Sequence, residues 1–211
     1  RAGRTREGKC IRLYAESFYD EQMPNITLPE ILRVNLTSTV LTLKSLGIED
    51  VINFEYMDKP NTKQLQNSLI MLRYLEAVSS SGRLTNLGRE LAKLPIDPCF
   101  AKALLYGELL DNSKRSKVQE DILKLVSVLS TENIFANVSR NDSRAQQSLA
   151  SIKDKYRDFE SDHFDLVKIF DAWRIEKQVG NHKELQSWCQ RKHLQHRALM
   201  MAYNIKHQLS D

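Results

Sequence analysis

From residue 28 onward apolar side chains recur every three or four positions, so the chain reads as a succession of helices. Pro29 and Glu30 suit a helical first turn, with Ile31, Val34 and Leu36 as its apolar face. Thr37 to Leu46 predicts a helix that turns Val40, Leu41, Leu43 and Leu46 inward and stops at Gly47. After VINFEY (51–56) and a turn at Asp58, Lys59 and Pro60, Asn61 or Thr62 caps a long helix through Ala77. Its inward positions are Leu65, Leu69, Leu72 and Leu75.

The pattern then shortens. SSSGRLTNLGRELAKLP (79–95) predicts a Ser/Gly turn, a three-residue strand (Arg83, Leu84, Thr85) and a short helix closed by Pro95. Helices followed by a small turn-and-strand hairpin outline a winged helix over residues 25–95. Residues 96–211 predict a helical bundle, with helices at 98–110, 117–129, 142–157, 162–179, 183–192 and 194–209. DNSKRSK (111–117) reads as a polar linker, and STENIFANVSRND (130–142) as a second loop. At the front, CIRLYA (10–15) is short, apolar and β-favouring, which suits a buried strand. Residues 1–24 are too few to fold alone and read as the last strand and tail of another domain. The expected fold is mainly α: a winged helix and a helical bundle, preceded by a strand remnant.

Composition narrows the function classes. Hydrophobic residues make up 41% and charged residues 27%, enough for a sizeable core. The net charge of +4 permits a nucleic-acid partner without requiring one. No apolar run is long enough to cross a bilayer, so no membrane partner is expected. Cys10, Cys99 and Cys189 are odd in number and far apart, which implies no disulfide framework and favours a reducing, intracellular compartment. Asn-X-Ser/Thr triplets at Asn25, Asn35, Asn137 and Asn141 are then accidents of composition.

Several constellations have a plainer reading beside the chemical one. Cys189, His193 and His196 have the look of metal ligands, but a closed zinc site needs four, and no metal is expected. Trp173 and Trp188 sit among apolar neighbours at helical spacing and read as core rather than as base-stacking platforms. The helix at 61–77 carries only Lys63 and Arg73, poor for gripping phosphates. Ser130, Thr131 and Asn133 are hydrogen-bonding groups at a helix end, able to reach phosphate oxygens or 2′-hydroxyls; a solvated polar loop is the alternative.

The opening RAGRTREGKC resembles the tail of motif VI in superfamily 2 helicases of the DEAH-box type, which reads Q-R-x-G-R-x-G-R-T-G-P-G-K-C there. Arg1, Gly3, Arg4, Thr5, Gly8, Lys9 and Cys10 match in register, and Arg12, Leu13 and Tyr14 continue it; Arg6 and Glu7 replace Gly-Pro. LPEILRVNLTSTVLTLKSLGI (28–48) is similar to that family's winged-helix entry, and LTNLGRELAKLPIDP (84–98) to its wing and exit. Ser161, Asp162, His163 and Leu166, then Trp173, Trp188 and Cys189, resemble a G/S-D-H-x-x-L…W…W-C pattern in its helical bundle.

The resemblance implies the end of a second RecA-like domain (1–24), a winged helix (25–95) and a ratchet-like bundle (96–211) of an ATP-dependent RNA helicase. Arg1 and Arg4 would be arginine fingers to the ATP phosphates, Arg being always charged and fork-shaped. Gly3 would allow close approach of the backbone to the nucleotide. Arg6 and Lys9 stay surface residues. ATP and Mg2+ would serve the parent, while this stretch, with no G-x-x-x-x-G-K-[ST] loop and no Asp-Glu-Ala-His box, is expected to hydrolyse nothing alone. Implied partners are single-stranded RNA, held by the Ser130–Arg140 loop, and a G-patch protein on the winged helix. A monomer in the nucleus or nucleolus, serving splicing or ribosome biogenesis, is expected; a non-enzymatic interaction module is the alternative.

Overall fold

The computed structural model describes residues 3, 5–24, 26–108, 112–158 and 161–210, the side chains of 108 and 112–116 apart. A short helix, α1 (Glu16–Glu21), and a 3-10 turn (Glu30–Leu32) precede the first packed unit. That unit holds α2 (Thr37–Ser45), α3 (Thr62–Tyr74) and α4 (Asn86–Lys93).

Local chemistry sets these boundaries. Asn35 Oδ1 accepts from the Thr37 amide and hydroxyl at 2.8 and 2.6 Å, closing the entry to α2. Asn61 caps α3 by accepting from the Lys63 amide, and Thr85 caps α4 by accepting from the Gly88 amide. Gly47 takes φ +89 where the chain leaves α2. Val40, Leu41, Leu65, Leu72 and Leu91 meet in one buried core, which Ala101 of the next helix also enters.

Leu46, predicted inward, is 73% exposed. The helix ends at Ser45, so Leu46 rolls off the apolar stripe, and Lys44 takes the inward place instead. Its ammonium donates to the Glu49 and Gly82 carbonyls at 2.6 and 2.8 Å and meets the Glu49 carboxylate at 3.3 Å. A buried charge so satisfied ties the end of α2 to the wing. The wing itself is smaller than predicted: a single antiparallel bridge, Val78 to Leu84, around a turn at Gly82.

The second unit comprises α5 (Pro98–Glu108), α6 (Asn112–Leu129), α7 (Ser143–Tyr156), α8 (Asp162–Val179), α9 (His182–Arg191) and α10 (His196–Ser210). α6 is its axle, packing on α5, α8 and α10. Residues 112–116, predicted as linker, form the first turns of α6, because Ser, Lys and Arg sit comfortably at a helix start once α5 supplies a neighbour. Phe170 and Trp173 stack with ring centroids 6.0 Å apart, and both tryptophans are buried, as their spacing predicts. Asn181 and Glu184 close a reciprocal capping box at the start of α9.

The strand predicted at 10–15 does not form. Ile11 and Leu13 are 82% and 94% exposed, and β pairing among the described residues is confined to two isolated bridges, Val78–Leu84 and Phe135–Leu194. A strand without a neighbour has nowhere to place its backbone hydrogen bonds. Among the described residues no helix is long and apolar enough to cross a membrane.

Candidate nucleic-acid interface

Chain termination of α6 at Leu129 leads into the 130–140 loop, which is pinned rather than free. Ile134 is buried, the Ala136 amide donates to the His193 carbonyl and the Gln195 amide to the Ile134 carbonyl, both at 2.7 Å. The Gln195 side chain adds a bond to the Phe135 carbonyl at 3.0 Å. His193 takes φ +47 to make this approach, an uncommon conformation for a residue with a side chain.

Within this frame Ser130, Thr131 and Asn133 do three different things. The Thr131 hydroxyl donates to the Val128 carbonyl at 2.8 Å, finishing α6. Asn133 Oδ1 accepts from the Phe135 amide at 3.0 Å, turning the loop, on an exposed residue. Ser130 Oγ is buried, has no hydrogen-bond partner, and lines a cleft of about 630 Å3 where Thr42 and Ile96 of the first unit face Met201 and Ile205 of α10. The three hydroxyl and amide groups therefore do not converge on one point.

A row of cations on aromatic rings lies beside the same loop. Lys153 Nζ sits 4.8 Å from the Phe135 ring centroid. Lys155 is 5.8 Å from Tyr156, and Lys192 lies 6.0 Å from Tyr156 and 5.1 Å from Trp188. None of these lysines belongs to an ion pair among the described residues. Burial, then the charge of Lys155, hold the Lys192 ammonium below the usual lysine range; Glu176 opposes them and Arg191 adds a smaller push in the same direction as Lys155. Ring faces steady ammonium groups at such distances, and unpaired, steadied cations suit a phosphate chain. Sequence reasoning missed this row. Its signal is Lys153-Asp154-Lys155-Tyr156 together with Arg191-Lys192-His193, basic residues around an aromatic, split by thirty-odd positions of helix.

On the α6–α8 seam a cluster of acidic groups is engaged by cations. Lys124, almost wholly buried, bonds Asp171 at 3.0 Å and Asp121 at 3.2 Å and reaches Glu120 at 3.5 Å. Arg174 meets Glu120 at 3.5 Å and Asp171 at 3.2 Å, so this network joins α6 to α8. Burial alone would lower the Lys124 ammonium, but the Asp171, Asp121 and Glu120 partners overcome it and hold it raised.

Among the other predicted residues, Arg1 and Arg4 lie outside the described residues. Gly3 is exposed at φ +91 with open space where a side chain would point. Cys189 is buried and lies 3.9 Å from His196 Nδ1, while His193 shapes the loop contact through its backbone. Among the described residues no three His, Cys, Asp or Glu side chains gather as metal ligands. Burial pushes the Cys189 thiol up to about 11, opposed by a loose approach of the Trp173 indole N–H, which has no hydrogen-bond partner of normal geometry.

A three-helix unit with a one-bridge wing, joined through α5 to a helical bundle, is a winged-helix and bundle pair. Residues 68–96 match the family model of the helicase-associated winged helix (HA2), and residues 97–166 that of the ratchet-like helicase-associated domain (HA2). The chain thus carries the HA2 winged-helix and ratchet-like domains, the C-terminal region of DEAH-box helicases. Ser130, Asn133, Phe135, Lys153 and Lys155 fall inside the ratchet match; Lys192 lies beyond it.

Proposed function

We propose that this chain is the part of an ATP-dependent RNA helicase that walls the RNA channel and passes RecA-domain closure to a strand moving in the 3′-to-5′ sense. The observation that carries the RNA assignment is the row of Lys153, Lys155 and Lys192 on aromatic rings beside the 130–140 loop. Backbone phosphates would meet the ammonium groups, and Asn133 would meet a phosphate or a 2′-hydroxyl. Such contacts hold RNA without reading its sequence. Arg1 and Arg4, by register with motif VI, would act on ATP and Mg2+ bound to the parent, with Gly3 giving the backbone room. A G-patch protein on the winged helix, and a nuclear role in splicing or ribosome biogenesis, belong to the same reading.

The test is the salt dependence of binding a fluorescein-labelled oligouridylate, followed by anisotropy. Each phosphate contact to a single strand contributes about 0.7 to the slope of log K against log salt. Replacing the row together (Lys153→Gln, Lys155→Gln, Lys192→Gln) should weaken binding and flatten that slope by about 2. An unchanged slope refutes the RNA assignment.

One observation favours a second reading, a docking module. Ile11, Leu13, Ile26 and Leu28 expose 82, 94, 82 and 66% of their surface, so the segment ahead of the first packed unit leaves several large apolar side chains uncovered. In the helicase reading this arm packs on the RecA pair; in the alternative it binds a separate protein.

A further inference from the structure

A second cationic feature lies away from the 130–140 loop, between α8 and α10. Arg174, Lys177 and Gln178 of α8 face Tyr203, Lys206 and His207 of α10 across a notch of about 140 Å3. That is the space of several waters at about 30 Å3 each. Along α10, Met201 and Ile205 line the cleft toward the winged helix, so the notch occupies the helix's other side.

The charges in the notch are arranged unevenly. Arg174 is fixed by Glu120 and Asp171. Lys177 and Lys206 are half-buried and belong to no ion pair among the described residues, although Lys206 lies near enough to Glu120 to help hold its carboxyl below the usual range. Lys177 Nζ rests 3.7 Å from the Tyr203 ring centroid, and the Tyr203 ring meets His207 edge-on at 4.5 Å. Tyr203 therefore steadies one ammonium and orients the imidazole. Two half-buried ammonium groups lining one notch, with only the more distant Glu120 to offset Lys206, are placed so that an anion between them would be favourable.

We infer that this notch binds a phosphate group. The donors come from two helices and hence from several directions, which suits a tetrahedral oxyanion better than a planar carboxylate. Arg174 supplies a fixed planar donor, and Lys177, Lys206 and His207 supply the rest. Two sources carry such a group, a nucleic-acid diester and a free polyphosphate, and the experiment separates them. None of these residues belongs to the row at Lys153, Lys155 and Lys192, so the two assignments stand or fall separately.

The probe is inorganic pyrophosphate, titrated into the 211-residue chain at fixed ionic strength and followed by amide and imidazole NMR shifts. Saturable shifts at Lys177, Lys206 and His207 are expected. The pair Lys177→Gln and Lys206→Gln should weaken binding about tenfold or more, two charge-assisted bonds being lost. Lys206→Arg, which keeps the charge, should retain it and guards against a folding artefact. Competition by oligouridylate assigns a diester source, and its failure to compete assigns a free polyphosphate. Shifts that never saturate, or that persist unchanged in the double glutamine variant, overturn the site.

Discussion

Replacing Gly88 by alanine sets two ordinary effects against each other. In a helix interior the change should help, by about 1 kcal/mol, because alanine loses less backbone entropy. Here α4 crosses the base of the wing. A Cβ on Gly88 would lie 2.1 Å from the Ala77 carbonyl oxygen, 2.8 Å from Leu84 Cδ1 and 3.0 Å from the Ala77 carbonyl carbon. The nearest obstacle is backbone, and it is committed: the Ala77 carbonyl accepts from the Thr85 amide at 3.0 Å and the Thr85 hydroxyl at 3.1 Å. Relief requires α4 to retreat by more than about 1 Å, an overpacking worth about 1–3 kcal/mol, with those hydrogen bonds at about 1 kcal/mol each also exposed to loss.

The steric term wins, and Gly88→Ala should destabilise the winged helix by about 2–3 kcal/mol net. Urea unfolding followed by far-UV circular dichroism reads this out. With a slope near 1–2 kcal/mol per molar for a small unit, the midpoint should fall by about 1–2 M. Tryptophan fluorescence serves as an internal comparison, since Trp173 and Trp188 both lie in the bundle core. Gly82→Ala is the companion control: its Cβ meets nothing within 4 Å, and only the strain of φ +81 remains, about 1–2 kcal/mol. A Gly88→Ala protein as stable as the parent chain would refute the reasoning.

Two further outcomes follow from burial. With a thiol reagent the exposed Cys10 and Cys99 should label in the native chain, whereas Cys189, buried and with its thiol pushed up to about 11, should label only when urea opens the bundle; native labelling at Cys189 would mean the core opens readily. Ser130→Ala should leave the unfolding midpoint unchanged or slightly raised, because the buried Oγ has no partner to lose, and a clear loss of stability would reveal a bond this geometry lacks.

What could be read from the chain, and what could not, divides along the range of the interaction. Helix α8 spans Asp162–Val179, the very residues its apolar period predicts, since a 3.6-residue stripe is a local property of the sequence. Caps at Asn61 and the wing turn at Gly82 are equally local. Leu46 fails because its exposure depends on where α2 stops, and one residue of helix length rotates the next side chain out of the stripe. CIRLYA has strand propensity, but a strand is a relation between segments, and no partner segment accompanies it among the described residues. The interface is the least legible part: Phe135, Lys153 and Lys192 come together only because the 134–136 segment is sewn to 193–195.

The same division explains why a net charge of +4 understates what this surface offers an anion. Basic and acidic side chains are nearly balanced, 31 Lys and Arg against 27 Asp and Glu, but the fold sorts them. Glu120, Asp121 and Asp171 are gathered around Lys124 and Arg174 on the α6–α8 seam, where their charges are largely cancelled. Among the described residues, Lys153, Lys155 and Lys192 on one side, and Lys177 and Lys206 on another, form no direct ion pair with a carboxylate. A polyanion approaching within about a Debye length, some 8 Å at physiological salt, responds to those local groups and not to the total. Binding should therefore be steeply salt-dependent although the chain as a whole is only mildly basic, and that contrast arises from the ion pairs of α6 and α8 as much as from the lysines themselves.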